Sequence, residues 1–385
     1  MDGNHQKMAN NRERALLFTP GPLTTSVAVK QAMLHDFGSR DARFVAMVRE
    51  IRDRLLHLAG VREETHTAVL LQGSGTFAVE AALGTLVPRA GKLLVCSNGA
   101  YGERIAKIAS LLGIPTIVLH FAETQAVDPL AVHETLAADP QIQWVACVHS
   151  ETTTGLLNPL EILAGTVKAH GRRLLVDAMS SFGGVPLDIG QLGMDALVSS
   201  SNKCIEGVPG FAFAIVQRDV LQASKGQSPS LVLDLHAQAA ELDRSGQFRF
   251  TPPTHVLAAF RQALVELEVE GGIPARHARY RANQQIIQQG VERLGLTTLL
   301  PADLQGPIIT SVHYPQDPHF DFAQLYEALV HRGFFLYPGK LSQIECFRIG
   351  NIGQLHAADI HALLVELEKV LRSQGVILPQ TEGQS

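Results

Sequence analysis

Lys203 closes the string Ser199-Ser200-Ser201-Asn202-Lys203 at the end of an apolar run, and Gly207-Val208-Pro209-Gly210 follows it. Asp177 ends another apolar run, Leu174-Leu175-Val176, further upstream. A lysine amine can form an imine with a carbonyl cofactor and move protons once it is displaced. An aspartate beside a heterocyclic nitrogen can keep that nitrogen protonated, so that the ring accepts electrons. A lysine and an acid at neighbouring strand ends, with glycine-rich turns around them, suit pyridoxal phosphate. Each residue also has an ordinary reading. Asp177 could cap a helix or hold a turn, and most lysines are solvated surface charges. The pair is stronger than either member, because ligand sites in α/β sheets gather at strand ends. A desolvated lysine also lowers its pKa readily, as imine formation and proton transfer require.

Gln72-Gly73-Ser74-Gly75-Thr76 follows the apolar run Ala68–Leu71 and opens a helical stretch at Phe77. Backbone N–H groups at a helix N-terminus, made accessible by glycine, suit a phosphate dianion. An ordinary strand-to-helix turn is the plain alternative. Gly73-x-Gly75-x-x-Ala78 also matches the dinucleotide fingerprint, which points to a nicotinamide-dependent oxidoreductase. That fingerprint expects an acid at the end of the next strand, where this chain has Cys96-Ser97-Asn98, so a monophosphate cradle is the better reading. No Gly-Lys-Ser/Thr follows, which excludes a P-loop. Arg348, in the apolar string Phe347-Arg348-Ile349-Gly350-Asn351, needs a partner. An internal carboxylate and an anionic substrate held by the guanidinium fork fit equally well. Tyr101, just after a strand end, could stack on a flat ligand or simply pack. Thr19-Pro20-Gly21-Pro22-Leu23-Thr24 is a turn-rich segment that excludes a helix.

These residues must be held by a framework. Short apolar runs recur at Ala68–Leu71, Lys92–Cys96, Thr116–Phe121, Trp144–Val148, Leu174–Val176, Ala196–Val198 and Phe211–Val216, with amphipathic stretches such as Phe77–Leu86, Glu103–Leu112, Pro129–Ala138 and Pro159–His170 between them. The alternation predicts an α/β fold with a mostly parallel sheet covered on both faces. Phe211–Val216 returns after a short Gly/Pro loop with no crossover helix, which points to an antiparallel strand. After Thr254 the texture changes. Helical stretches at Val256–Glu270, Pro274–Leu294, Phe322–His331 and Ala357–Ser373, with strands at Ile308–Val312, Phe334–Tyr337 and Cys346–Ile349, predict a smaller α/β domain at the C-terminal end.

The bulk numbers narrow the class. The chain has 385 residues, 46% of them hydrophobic, enough for a sizeable core and two domains. A net charge of −5 gives no basic surface for nucleic acid. Four scattered cysteines without CxxC fit a reducing cytosol and no zinc or disulfide framework. His149-Ser150-Glu151 has the H-x-E of zinc deaminases but lacks the P-C-x-x-C that completes it, and His356 and His361 miss the HExxH spacing, so no metal site is expected. No apolar run reaches the length of a membrane helix. The polar opening Met1–Arg14 predicts no signal peptide, and a cytoplasmic location is the expectation.

The strings together resemble the small-molecule aminotransferases of pyridoxal phosphate fold type I, in the class V branch that holds the alanine–glyoxylate and serine–pyruvate aminotransferases. The resemblance is carried by Leu17–Ser26, His149–Gly155, Asp177–Gly184, Ser201–Phe211 and Phe347–Gly353, which span almost the whole chain. Asn202-Lys203-Cys204 and Glu151-Thr152-Thr153-Thr154-Gly155 are similar to the phosphonate-using members. The resemblance implies a large domain over 26–255 with a mostly parallel seven-stranded sheet, a small domain over 256–385, and an N-terminal arm over 1–25 that contributes to the site. It implies Lys203 as the Schiff-base lysine and Asp177 as the ring-nitrogen partner. Ser74, Gly75 and Thr76 would hold the phosphate, Tyr101 and Met179 would cover the ring faces, and Thr152 would reach the ring hydroxyl. Thr251 would reach the cofactor of a second subunit, which implies a homodimer. Arg348 and Thr24 would bind substrate, with 2-aminoethylphosphonate as amino donor and pyruvate as acceptor. The alanine–glyoxylate and serine–pyruvate reactions are the nearest alternatives. Phe248 stands where the broader branch often carries a tyrosine, which removes one hydroxyl from the phosphate's surroundings.

Overall fold

The apolar runs become strands because they are short, bounded by turn residues and, apart from Thr116–His120, buried along nearly their whole length. In the computed structural model, which describes residues 15–339, 341 and 344–379, they are β1 (His66–Gln72), β2 (Lys92–Ser97), β3 (Thr116–His120), β4 (Ile142–Val148), β5 (Arg173–Asp177), β6 (Ala196–Ser200) and β7 (Phe211–Gln217). They form one seven-stranded sheet in the order β1-β7-β6-β5-β4-β2-β3. Five neighbouring strands, β6, β5, β4, β2 and β3, run parallel. β7 is antiparallel to both β1 and β6, as its short connection requires. The register places Asp177 beside Val148 on one side and Val198 on the other.

Helices Gly75–Leu86, Ala100–Leu111, Pro129–Ala138 and Leu160–Ala169 connect the strands. Pro129–Ala138 shows how the sequence starts one: Asp128 accepts the Leu130 N–H, and Pro129 takes a first-turn position where no donor is lost. Aromatic side chains lock the antiparallel edge of the core. Phe211 meets Phe260 edge-on at 4.7 Å between ring centres, and Phe182 meets Phe213 at 5.6 Å, separations at which such pairs add to plain burial.

The chain divides into two compact units. The larger comprises Thr25–Glu151 and Leu157–Arg276 and holds the seven-stranded sheet. The texture change near Thr254 suggests a boundary there, yet Leu257, Phe260, Leu264 and Leu267 of the helix Thr254–Glu270 are buried in the large core. An amphipathic helix belongs to whichever core its apolar stripe enters, and sequence texture does not reveal which that is. The smaller unit comprises the described residues up to Thr24, Thr152–Leu156 and those from His277 onward. Its sheet consists of β8 (Ile309–His313), β9 (Tyr337–Pro338) and β10 (Cys346–Gly350), in the order β8-β10-β9, with β10 antiparallel to both neighbours. Phe18, Ile287, Leu325, Phe347 and Leu367 are among its core residues. Leu16 and Leu17 pair in parallel with Phe334 and Phe335, which ties the N-terminal segment to this unit.

Candidate active site

Five connections leave the carboxyl ends of β1, β2, β4, β5 and β6 and surround one cavity of about 190 Å³ in the larger unit. This is where open α/β sheets place ligands, because helix N-termini and loop donors converge there. Ser74, Gly75 and Thr76 enter it from β1, Tyr101 and Arg104 from β2, and Ser150 from β4. Asp177, Met179 and Ser180 enter it from β5, and Asn202 and Lys203 from β6. The sequence-expected lysine, acid, phosphate cradle, tyrosine and methionine therefore line a single space.

Asp177 is the last residue of β5 and is only 6% exposed. One carboxylate oxygen accepts the Met179 N–H at 2.9 Å. Burial pushes its pKa up to about 6, against the opposing pull of that hydrogen bond and of the Arg104 and Lys203 charges. A carboxylate desolvated to this degree gains from a cation in the cavity, and a protonated pyridine nitrogen is a cation of the right size and hydrogen-bonding sense. Behind it, His149 is fully buried, contacts the Ser181 hydroxyl through Nδ1 at 2.9 Å, and has its pKa lowered to about 4 by burial. Burial favours its neutral form, and its ring packs against Ser181.

The turn after β1 is open. Ser74 is exposed and stands at the N-cap of the helix Gly75–Leu86, yet its side chain makes no capping hydrogen bond. The helix therefore offers its dipole and first N–H groups toward the cavity without its own serine satisfying them. A Cβ at Gly75 would lie 2.4 Å from Met179 Sδ, so glycine is what lets Met179 lie over this turn. A helix N-terminus for a dianion, a desolvated acid for a ring nitrogen and a half-buried lysine in the same cavity together fit pyridoxal phosphate.

Sequence reasoning passed over Arg104. Its guanidinium donates to Thr76 Oγ1 at 3.3 Å and lies 4.8 Å above the Tyr101 ring centre. The available signal was spacing, since residues three apart on a helix share a face. Thr251 is exposed, with its carbonyl accepting from Gln72 at 2.8 Å. Thr24, Thr152 and Arg348 belong to the smaller unit. Thr24 is buried, and its hydroxyl accepts the Leu17 N–H at 2.8 Å, which gives it a role in holding the N-terminal segment. Thr152 Oγ1 is buried with no hydrogen-bond partner among the described residues. Arg348 is 5% exposed on β10, donating from Nε to the Pro338 carbonyl at 3.0 Å and from Nη1 to the Thr152 carbonyl at 2.9 Å. These carbonyls fix the plane of the fork.

The geometry of a lysine, an acid and an anion cradle at parallel strand ends agrees with comparison to known proteins. The family model described as aminotransferase class V matches residues 24–329. The chain belongs to the class V aminotransferase family. Two relatives are alike in extent. A 2-aminoethylphosphonate–pyruvate transaminase of Burkholderia ambifaria is 50% identical over 368 residues, 96% of this chain and 98% of that one. A protein of the same name from Syntrophobacter fumaroxidans is 53% identical over 350 residues, 91% and 94% of the two chains. Among solved structures, the ureidoglycine–glyoxylate aminotransferase of Bacillus subtilis superposes with a TM-score of 0.88 at 22% identity, covering 96% of this chain and 95% of its own. That likeness shows that the aminotransferase fold extends over both units. The four cysteines are buried, and burial raises Cys96 to about 12 and Cys147 well above the ordinary range, so neither is a ready thiolate nucleophile.

Proposed function

We propose that this class V aminotransferase moves the amino group of 2-aminoethylphosphonate to pyruvate, giving phosphonoacetaldehyde and L-alanine. The observation that carries the chemistry is that Lys203 and Asp177 line one cavity together with an uncapped helix N-terminus. The substrate pair rests on relatives of that name at about half identity over nearly the whole chain. When bound, pyridoxal phosphate supplies an aldehyde that takes up an amino group and a ring that accepts the electrons released at the adjacent carbon. Lys203 Nζ takes the proton from the donor carbon bearing nitrogen and returns it on the cofactor side. The Asp177 carboxylate holds the proton on the ring nitrogen. The N–H groups at the start of the helix Gly75–Leu86 bind the phosphate, and Tyr101 and Met179 orient the ring. Thr152 offers its hydroxyl to the ring oxygen, and Thr24 contributes to substrate binding. Arg348 takes the anionic end of each substrate in turn, a phosphonate and then a carboxylate, which a guanidinium fork accommodates better than an ammonium.

No helix among the described residues is long and apolar enough to cross a membrane, and the protein is proposed to work in the cytoplasm. It is also proposed to be a homodimer, with Thr251 reaching the second subunit's cofactor. In support, Leu231, Val232 and Phe250 are large and exposed on the larger unit, and Arg249 ties Phe250 to the Leu231 carbonyl. The deciding experiment follows the absorbance of holoenzyme in single turnover with 2-aminoethylphosphonate, L-alanine and L-serine in turn. The phosphonate should bleach the cofactor band and pyruvate should restore it. Bleaching by L-serine with the phosphonate inert would replace this donor with that of the serine–pyruvate branch. Arg348→Lys should raise both Michaelis constants with cofactor retained, and unchanged constants would remove Arg348 from the substrate site.

A further inference from the structure

Lys203 sits on a turn that is buried around it, and that turn is fastened by a charged group the proposed mechanism does not use. Arg276, in the first turns of the helix Gly272–Arg293, is 1% exposed. Its Nη1 donates to the carbonyl of Cys204, the residue after the lysine, at 2.6 Å. The same nitrogen lies 3.5 Å from Glu206 Oε1, and Nε donates to Glu270 Oε2 at 2.5 Å. Glu206 is also 1% exposed, and its N–H closes the turn on the Lys203 carbonyl at 2.7 Å. It adopts a φ of +65°, the sole positive value at a non-glycine residue among those described. A carboxylate-bearing residue held in the left-handed region is strained relative to glycine, so its side chain must return something. What it returns here is charge for a buried guanidinium, which without an anion is costly.

We propose that Glu206 and Arg276 form a clamp that fixes the backbone immediately after the lysine, so that Arg276 is a positioning residue for the Lys203 amine. The inference rests on the reading of Lys203 as the cofactor-binding and proton-moving residue. The backbone supports it. Gly207 donates to the Ser201 carbonyl at 2.9 Å, and a Cβ on Gly207 would lie 2.8 Å from that same oxygen. Cys204 Sγ contacts the Ser180 carbonyl at 3.1 Å. The turn is thus tied before and after Lys203, and the clamp supplies its charged fastening.

The test uses holoenzyme of Glu206→Gly, Glu206→Gln, Arg276→Lys and Arg276→Met. Glycine adopts the required φ without strain, so Glu206→Gly removes the carboxylate while leaving the turn's conformation accessible. Displacing a reacting group by about 1 Å costs on the order of 10²-fold. We expect kcat to fall by that order in Glu206→Gly, with Michaelis constants little changed and slower borohydride capture of cofactor on Lys203. Glu206→Gln and Arg276→Lys should recover part of both readouts, and Arg276→Met should be the most impaired. Wild-type kcat and wild-type capture in Glu206→Gly would overturn the clamp, whether or not Arg276→Met folds. Absence of any pyridoxyl tag on Lys203 in the unsubstituted protein would instead overturn the reading of the site itself.

Discussion

Two turns face the same cavity and are built in opposite ways. Gly73–Thr76, after β1, is open: Ser74 is exposed and leaves its helix uncapped. Ser201–Gly207, after β6, is mostly buried and is tied by Ser201, Cys204, Glu206 and Arg276 to its surroundings. The difference follows from what each turn is proposed to hold. A phosphate is met by backbone N–H groups, which need only glycine and a helix start. A lysine acts through the far end of a four-carbon stem, so its position is only as good as the backbone that carries it. Openness suits a turn that awaits its ligand, and fastening suits a turn that must place a reactive atom.

The fastened turn should show the larger effects. Lys203→Ala removes both the covalent and the proton-moving roles, and we expect turnover to drop by roughly 10⁴-fold or more with the protein still folded. Steady-state assay with borohydride labelling checks this, and substantial residual turnover would take Lys203 out of the chemistry. Next in size is Asp177, beside that turn. Burial raises its carboxyl from the ordinary 3.8 to about 6. Between those values the folded protein holds a proton that the unfolded chain has released, so stability of the cofactor-free protein falls as pH rises through this window and levels off above it. The whole shift is worth about 3 kcal/mol. Urea unfolding across pH 4 to 7 should show that slope, and Asp177→Asn should flatten it. Equal slopes in the two proteins would mean that Asp177 is better solvated than its 6% exposure indicates.

The open turn was the easier one to find from sequence. Its glycines, its position between an apolar run and an amphipathic stretch, and the missing acid after β2 are all local features. Lys203 and Asp177 were legible for the same reason, each closing an apolar run that became a strand. The clamp was not legible, because Arg276 lies in a helix far along the chain and nothing near Lys203 in sequence announces it. The positive φ of Glu206 was likewise hidden, since glutamate carries no signature of the left-handed region. The fold divides in the same manner. The strand–helix alternation predicted the mostly parallel sheet, and the short loop before Phe211–Val216 predicted its antiparallel return, whereas the destination of the helix Thr254–Glu270 depended on packing that texture does not encode.

Smaller effects should come from the open turn. Gly75→Ala places a methyl 2.4 Å from Met179 Sδ and 2.9 Å from its Cε. Those atoms end a flexible side chain, so the cost belongs at the low end for overpacking, about 1 kcal/mol. Displacing Met179 should weaken cofactor binding by about fivefold, the equivalent of about 1 kcal/mol, measured by titrating apoprotein with pyridoxal phosphate. Unchanged affinity would mean that Met179 does not border the ring.

The smallest effect separates two N-cap serines in the same unit. Ser26 accepts the Val29 N–H at 3.0 Å and donates to Glu266 at 2.7 Å, so Ser26→Ala should cost about 1 kcal/mol, the usual value of a lost cap. Ser74 makes no such bond. Ser74→Ala should therefore cost less than about 0.5 kcal/mol of apoprotein stability, as an exposed position without a special partner would, while still weakening cofactor binding. A stability loss at Ser74 equal to that at Ser26 would show that its hydroxyl caps the helix in solution. The first N–H groups would then already be satisfied, and the contrast between an open turn and a fastened one would fail at its open end.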